Sequence, residues 1–506
     1  MKKSFLALPA CVLCAALLLC GCQSVVTAGS VSGSATESAA AASSGAAGAP
    51  LTIACTSAGF NPYVSDDAIT RQDATLLFEP LVAITPDLDL DYRMAQNVDN
   101  SGLLVTVQMR SGCFFADGSN VTAEDAAASL NAARLSSQYA ARFSNVTDVV
   151  VEGSAVCITL TQPDSLFAYL LDIPVLRADE VSLSRPTANG RYTYSDGGDA
   201  LVLNSRAAFP DGGPAEIGLE TVAGADALVS GLAVGSVDLY VLGDDSTETT
   251  SINAVETYYR NNDLIYLSVN AGATNPLCST ATGRRLLSTL VDRNDLASKA
   301  YYSRAYAATG AINNYYPCVK GRQTILPSAD ASPLESTMAA LGYTRADDGT
   351  FQDEKQQPAA VSLLVYSGSS YKRYAAQLLQ EQLQANGIRV DITEAASFDD
   401  YLAAVQSGQF ELYIGEVKLY NNFDLSPFWS GQASYGLAPS EALLAAYSSF
   451  RQNSGTAGDF EAAFASEMPF IPLLWHSGTV VTSRRVGGVN ASLSSAFYSL
   501  ADLTVG

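Results

Sequence analysis

Short apolar runs with strand spacing alternate with amphipathic segments along almost the whole chain. The strand-like runs occur at 51–55, 103–110, 155–161, 191–204, 265–270, 360–365, 388–392, 412–415, 469–474 and 478–483. Segments with helical spacing occur at 73–80, from 122 onward, and at 283–300, 371–386 and 398–407. This alternation is typical of mixed α/β lobes.

Turn and capping residues mark several of these boundaries. Thr122 is placed to cap a helix whose third position is Asp125, as in a capping box. Gly387 follows the segment 371–386 at the position where glycine closes helices. Together with the runs 360–365 and 388–392, that helix predicts a right-handed crossover between parallel strands.

The first fifty residues predict an export signal and a tether. Two lysines precede an apolar run, 5–19, that is too short to span a bilayer. It ends in Leu19-Cys20-Gly21-Cys22, which resembles a bacterial lipobox with Cys22 as the acylated residue. We therefore expect a lipoprotein signal peptide at 1–22 and a flexible linker rich in Ser, Gly and Ala at 23–50. The alternative is an ordinary secretory signal followed by a disordered tail.

Size and charge restrict the classes that the remaining residues can belong to. Residues 51–506 are too many for one core, so we expect two or three lobes. The net charge of −23 argues against nucleic acid as a ligand. No later run reaches the length of a membrane span, so we expect membrane contact through the lipid alone.

Cysteine and histidine usage predicts no metal site. Of nine cysteines, five lie beyond the signal and linker, and none of these five forms a Cys-x-x-Cys pair. His476 is the one histidine of the chain. Cys278 and Cys318 both lie in loop-like sequence, and the alternatives of a disulfide between them or two unlinked thiols stay open. An odd number of cysteines outside the cytoplasm leaves at least one free thiol.

Catalytic motifs of common hydrolases are missing from the sequence. It has no Gly-x-Ser-x-Gly and no His-Glu-x-x-His, and a histidine-based triad would have to use His476. The abundance of acidic residues leaves an exported carboxylate-dependent hydrolase as a less favoured alternative. We therefore expect a protein that is not an enzyme.

Seven motifs in a fixed order resemble those of a known family. They are Phe78-Glu79-Pro80-Leu81-Val82, the stretch 95–130 with Phe115-x-Asp117-Gly118 and Thr122-Ala123-Glu124-Asp125, Gly190-Arg191-Tyr192, Gly235-Ser236-Val237-Asp238-Leu239, Asn270, Arg285 with Asp292-Arg293, and Pro469-Phe470-Ile471-Pro472-Leu473. Together they resemble the extracellular solute-binding proteins, family 5, that serve peptide, dipeptide and nickel ABC importers. The resemblance covers essentially all of 51–506.

The resemblance implies an α/β, two-lobed periplasmic-binding-protein-like fold of class II with an extra subdomain. Lobe I would comprise 51–80, 186–260 and 478–506, the extra subdomain of lobe I 81–185, and lobe II 261–477. The protein would be a monomer without a cofactor, anchored by lipid to the outer face of the cell membrane. It would capture oligopeptides or dipeptides between closing lobes and deliver them to an ABC permease and ATPase complex.

The resemblance also implies where the ligand binds. Asp424 is the best match to the family's amine-binding aspartate, and the alternative is that it caps a turn before Pro427. The other candidate ligand-binding residues are Tyr420, Phe423, Trp429 and Tyr435 around Asp424, Asn61 and Tyr63 in the first loop, and Trp475 with His476. His476 could instead bind a nickel or other metal chelate, or have a structural role. Glu416 and Lys418 are expected to form a surface ion pair.

Overall fold

A mixed β-sheet joins the two halves of the protein. The computed structural model describes residues 50–206, 209–224, 226–242, 254–326, 333–453 and 455–506. The predicted signal peptide and nearly all of the predicted linker lie outside these described residues. Within them, eleven strands belong to this central sheet and four others to a separate antiparallel sheet.

The strands have the following bounds. They are β1 Leu51–Cys55, β2 Val82–Ile84, β3 Leu90–Tyr92, β4 Ala95–Ser101, β5 Leu104–Met109, β6 Val146–Glu152, β7 Ala155–Leu160, β8 Tyr192–Tyr194, β9 Ala200–Leu203, β10 Glu216–Thr221, β11 Leu239–Val241, β12 Ala254–Val269, β13 Ala305–Ala307, β14 Thr344–Arg345, β15 Phe351–Gln352, β16 Ala360–Tyr366, β17 Arg389–Ala395, β18 Leu412–Lys418, β19 Phe470–Ser483, β20 Val486–Gly487 and β21 Thr504–Val505.

Helices alternate with these strands along the chain. They are α1 Ala68–Leu77, α2 Ala123–Leu135, α3 Asp226–Val234, α4 Pro276–Ser279, α5 Ala281–Thr289, α6 Arg293–Asp295, α7 Leu334–Ala340, α8 Ser370–Ala385, α9 Phe398–Gln406, α10 Ser426–Trp429, α11 Glu441–Arg451 and α12 Ala457–Glu467. Among the described residues, none of the helices combines the length and the apolar character needed to cross a membrane.

Two long strands, β12 and β19, run side by side from one half of the central sheet into the other. The strand order is β17-β16-β18-β12-β19-β11-β1-β10-β9-β8, and β13 also pairs with β19. The last part of β12 pairs with β18, whereas the last part of β19 pairs with β11. We call β12 and β19 the crossing strands, because they connect the two halves of the sheet.

Two large hydrophobic cores lie on either side of the crossing strands. One takes nearly all of its buried residues from 264–475, and the other takes them from 51–241 and 480–503. Ile84, Leu88 and Tyr169, from the predicted subdomain, belong to the first of these cores. The protein therefore has two cores within one continuous sheet, and the residue boundaries of the lobes stay a prediction.

Local sequence signals position several elements as expected. Thr122 and Asp125 form a reciprocal capping box at the start of α2. The parallel strands β16 and β17 are joined by α8, which confirms the predicted crossover connection. Gly387, with φ +81°, closes α8 as predicted, and a Cβ there would lie 2.6 Å from the Gly349 carbonyl oxygen.

Four predicted elements were wrong in their extent. The helix at 73–80 is α1, which begins at Ala68 because the Asp67 carboxylate caps it. The helix at 283–300 is interrupted after α5, and Asp292 caps the new start of α6. The runs 469–474 and 478–483 form the single strand β19. The strand is continuous because β12 pairs with both parts of it, and the later part also pairs with β11.

Candidate functional site

A cleft of about 750 Å³ separates the predicted subdomain from the predicted second lobe. Two sets of segments line it: Leu103, Ala141, Arg142, Ser144, Asn145 and 161–164 on one side, and Tyr420, Asn422, Asp424, Ser426, Trp429, Ser430 and Tyr447 with 448 and 451–452 on the other. The volume lies within the range of about 300–1,000 Å³ that is typical of small-molecule sites.

The first ion pair in this cleft joins its two walls. Arg451, the last residue of α11, places Nη2 2.7 Å from Asp164 Oδ1, and the Asp164 side chain is 2% exposed. Asn422 Nδ2 donates to the other oxygen, Asp164 Oδ2, at 2.6 Å. Burial raises the pKa of Asp164, although the charge of Arg451 and the Asn422 hydrogen bond oppose that shift. The two walls are therefore held together by buried, charge-assisted contacts.

The second ion pair, Arg142 with Asp172, is also buried and again contacts both walls. Burial lowers the pKa of Arg142 to about 10, and Asp172 is 4% exposed on its side chain. Asn421 Nδ2, in the loop after β18, donates to Asp172 Oδ2 at 2.9 Å. Consequently, both basic residues that line the cleft are already neutralised by carboxylates of the protein.

Asp424 differs from these charges, because its hydrogen-bond partners are neutral. Its Oδ1 accepts from the Ser426 amide at 2.9 Å and from Tyr447 Oη at 3.3 Å, while its Oδ2 accepts from Ser426 Oγ at 2.9 Å. The carboxylate is half-buried on the cleft wall. It therefore forms the turn that the sequence allowed and also lines the cleft, with no ion-pair partner among the described residues.

Phe423 fixes the direction of this loop. Its φ of 52° is left-handed, which is strained for an aromatic residue. The side chain is buried in the core, edge-on to Tyr316 at 4.4 Å and to Trp475 at 5.7 Å between ring centroids. With Phe423 turned into the core, its neighbours Asn422 and Asp424 line the cleft.

Two predicted aromatic residues lie on the cleft with Asp424. Tyr420 is 40% exposed and lines the same wall. Trp429 ends α10, packs edge-on against Tyr447, and has a buried Nε1 without a hydrogen-bond partner among the described residues. Of the nine predicted ligand-binding residues, the structure brings Asp424, Tyr420 and Trp429 together at the cleft.

The predicted first-loop residues Asn61 and Tyr63 do not line this cleft. Asn61 is fully buried, and its Nδ2 donates to the carbonyl oxygens of Val181 and Leu183 at 2.9 and 2.7 Å. Tyr63 is 8% exposed and donates to the Pro174 carbonyl oxygen. The segment 174–183 covers this loop, so both side chains hold the first half of the protein together.

The remaining aromatic candidates also lie away from the cleft. Phe423 and Trp475 are 0% exposed and belong to the hydrophobic core. Tyr435 is half-buried against the same core, and its carbonyl oxygen accepts a hydrogen bond from Ser268 Oγ at 3.4 Å. Their positions support packing rather than ligand contact.

His476 lies in a buried polar cluster on the crossing strands. Its Nδ1 is 2.9 Å from Glu416 Oε1, and Lys372 Nζ is 2.7 Å from Glu416 Oε2. Burial alone would raise the pKa of Glu416, but the hydrogen bond with His476 and the charge of Lys372 lower it to about 2. Glu416 thus pairs with Lys372 and His476, whereas a surface pair with Lys418 was predicted.

The five described cysteines are free thiols, so the structure has the second of the two alternatives for Cys278 and Cys318. Cys278 lies on α4 and is fully buried. Burial raises the pKa of both thiols, that of Cys318 to about 11. Such thiols are poor nucleophiles and poor metal ligands at neutral pH.

Sequence reasoning missed the charged residues of the cleft. Arg142, Asp164 and Arg451 come from three distant segments, and each follows an ordinary helix or loop pattern. Only tertiary structure brings them together. In contrast, the family resemblance indicated Asp424, and Tyr420 and Trp429 were predicted because they lie close to it in the sequence.

Comparisons with known proteins identify the family. The family model described as bacterial extracellular solute-binding proteins, family 5 Middle, matches residues 84–436. The nickel-binding protein NikA of Staphylococcus aureus is 24% identical over 166 residues, 31% of each chain. The glutathione-binding protein GsiB of Shigella flexneri is 25% identical over 138 residues, 26% of each. The chain thus spans less than a third of the length of these curated relatives.

The fold has close counterparts among solved structures. A nickel ABC transporter protein from Bacillus halodurans superimposes with a TM-score of 0.71 at 16% identity, over 90% of this chain and 99% of that one. This similarity confirms the two-lobed α/β fold. Because the family model covers well over half of the sequence, the chain belongs to the bacterial extracellular solute-binding proteins of family 5.

Proposed function

We propose that this protein captures small peptides in the cleft and delivers them to the permease and ATPase of an ABC importer. The main support is the position of Asp424, because its carboxylate lines the cleft and has neutral hydrogen-bond partners. An ammonium group is the natural counter-ion for such a carboxylate. The glutathione-binding relative supports a peptide-like ligand.

The other cleft residues suit the variable parts of a peptide. Tyr420 and Trp429 supply rigid aromatic surfaces that accept different side chains at small entropic cost. Arg142 forms an ion pair with Asp172, and Arg451 forms one with Asp164. Both arginines therefore line the cleft without being free to bind an anion of the ligand. These features support recognition through the amino terminus and loose selection of side chains.

Closure of the cleft would depend on contacts that join its two walls. Arg451 with Asp164 and Asn421 with Asp172 bridge them directly. A ligand that contacts both walls stabilises the closed arrangement over the open one. We therefore infer that the crossing strands act as the hinge, with the predicted lobes moving about them.

Calorimetry with a panel of di- to pentapeptides tests this function. Asp424→Ala should weaken binding by about 1.5–3 kcal/mol, because it removes a charge-assisted hydrogen bond to the ammonium. N-acetylation of the peptide should weaken binding to the wild-type protein by a similar amount. It should have little further effect on the variant, since both changes remove the same interaction.

Two control variants separate the charge from the turn. Ser426→Ala removes the hydroxyl that Asp424 bonds but keeps the carboxylate, so peptide affinity should change little. Asp348→Asn alters a similar turn remote from the cleft, in which Asp348 accepts from Thr350. Equal affinity of wild type and Asp424→Ala for every peptide would remove Asp424 from the site. Binding of a nickel chelate but no peptide would favour the alternative cargo.

We further propose that Cys22 carries the lipid that holds the protein at the outer face of the membrane. The support is the lipobox-like sequence before it, and acyl chains contribute about 0.8 kcal/mol per buried methylene. Cys22→Ala should release the protein from the membrane fraction, as cell fractionation would show. Retention of that variant in the membrane would contradict the anchor.

A further inference from the structure

A second cavity, of about 180 Å³, lies against helix α1 in the first half of the protein. Much of its lining is apolar and comes from β1, α3 and the end of β11, with Ile53, Leu228, Leu239 and Leu242. An apolar cavity of about 150 Å³ can hold a benzene molecule, so this one has room for a small apolar group. No residue of its lining also lines the cleft.

Two hydrogen-bond acceptors in the lining of this cavity have no donor. Asp73 is 4% exposed, and its Oδ2 is buried without a hydrogen-bond partner among the described residues. Gln72 Oε1 is also buried and has no partner in the part of the chain that the structure describes. Both side chains line the cavity. Because an unmade hydrogen bond at a buried acceptor destabilises the folded state, a ligand with N–H donors would satisfy both groups.

The proton affinity of Asp73 reflects this lack of partners. Burial raises its pKa well above the usual range, and the neighbouring Asp67 carboxylate raises it further. A hydrogen bond to the ionised form would oppose such a shift, and the described residues provide none to Oδ2. An ammonium group in the cavity would provide one and favour the ionised carboxylate.

Positive charge lies at the same cavity. Arg71, two residues before Asp73 in α1, lines it, and so does Lys418 at the end of β18. Arg71 Nη1 donates to the neutral Gln138 Oε1, so this contact leaves its charge unneutralised. The cavity therefore offers a carboxyl group to a cation and a guanidinium group to an anion, together with apolar surface.

We propose that this cavity binds a small zwitterion with an apolar body, of the class of the apolar amino acids, with its ammonium group at Asp73 and Gln72 and its carboxylate towards Arg71. Charged groups of both signs orient such a ligand, and its apolar part fills the space beside Ile53 and Leu239. The site is separate from the cleft and does not rest on the proposed peptide function.

Calorimetric titration of L-leucine into the ligand-stripped full chain tests the site. We expect one leucine per chain. Asp73→Asn keeps the shape of the side chain and removes its charge, so it should weaken leucine binding by at least about tenfold. Glu152→Gln, which changes an exposed carboxylate at the end of β6, is the matched control and should bind leucine as wild type.

Two analogues test both charges of the ligand without a variant that has to fold. N-acetyl-L-leucine lacks the ammonium group and L-leucinamide lacks the carboxylate, so each should bind the wild-type protein at least about tenfold more weakly than leucine. Absence of leucine binding, an equal Kd for Asp73→Asn, or an analogue that binds as tightly as leucine would each overturn the proposal. None of these outcomes bears on peptide binding, which is tested at Asp424.

Discussion

Buried carboxylates of this protein differ in their proton affinity because their partners differ. Glu416 has its pKa lowered to about 2 by His476 and Lys372, despite burial. Glu461, on α12, is 4% exposed, and burial raises its pKa to about 7, with the charge of Arg322 opposing the shift only in part. Partners within hydrogen-bond distance thus decide which buried carboxylate stays ionised.

Glu461 should make the stability of the protein depend on pH. Between pH 4.5 and about 7, the folded protein keeps a proton that the unfolded chain releases, so the free energy of unfolding falls as pH rises. Glu461→Gln should be close to wild type at pH 5 and more stable by about 2–3 kcal/mol at pH 8. Urea denaturation at both pH values measures the difference.

An exposed carboxylate provides the control for this comparison. Glu354 is exposed in the turn after β15, so Glu354→Gln should shift stability little at either pH. A Glu461→Gln variant that gains no stability relative to wild type between pH 5 and pH 8 would show that Glu461 is ionised in the folded state.

At the level of elements, the ends of helices α8 and α9 show what local sequence determines. Both helices close on a glycine with left-handed φ, +81° at Gly387 and +70° at Gly408. Their surroundings differ, because a Cβ at Gly387 would lie 2.6 Å from the Gly349 carbonyl oxygen, whereas one at Gly408 would meet nothing within 4 Å. The sequence predicts that a glycine ends the helix, but it does not predict how closely other residues pack around that glycine.

Substitution of these two glycines by alanine should therefore lower the free energy of unfolding by different amounts. Gly408→Ala should lower the free energy of unfolding by about 1 kcal/mol, the cost of a left-handed φ for a residue with a Cβ. Gly387→Ala adds a backbone clash and should cost at least about 1 kcal/mol more. Chemical denaturation of both variants provides the comparison, and equal costs would contradict the packing around Gly387.

Elements could be predicted where their signals lie within a few residues of one another. Thr122 with Asp125, and Gly387, act within a few residues, so the sequence predicted α2 and the end of α8 correctly. At the interruption of the helix predicted at 283–300, the Asp292 cap is local, but other contacts are long-range, such as the Arg293 guanidinium donating from Nε to the Pro472 carbonyl oxygen at 2.8 Å. The long-range contacts have no local signature.

At the scale of the whole molecule, ordered motifs predicted the two-lobed fold, and the site was predicted only where it is continuous in sequence. Tyr420, Asp424 and Trp429 belong to one loop and the short helix after it. Asp164 and Arg451 are 287 residues apart (451 − 164) and meet across the cleft, which no periodicity indicates. Which of the candidate residues meet at the cleft therefore followed only from the tertiary structure.

We expect the two lobes to close on a peptide about the crossing strands. Small-angle X-ray scattering of the ligand-stripped chain, with and without a saturating peptide from the calorimetric panel, would detect this closure. We expect the peptide to reduce the radius of gyration of the wild-type protein, and to do so for Asp424→Ala only at proportionally higher concentration. A scattering curve that saturating peptide leaves unchanged would contradict capture by closure.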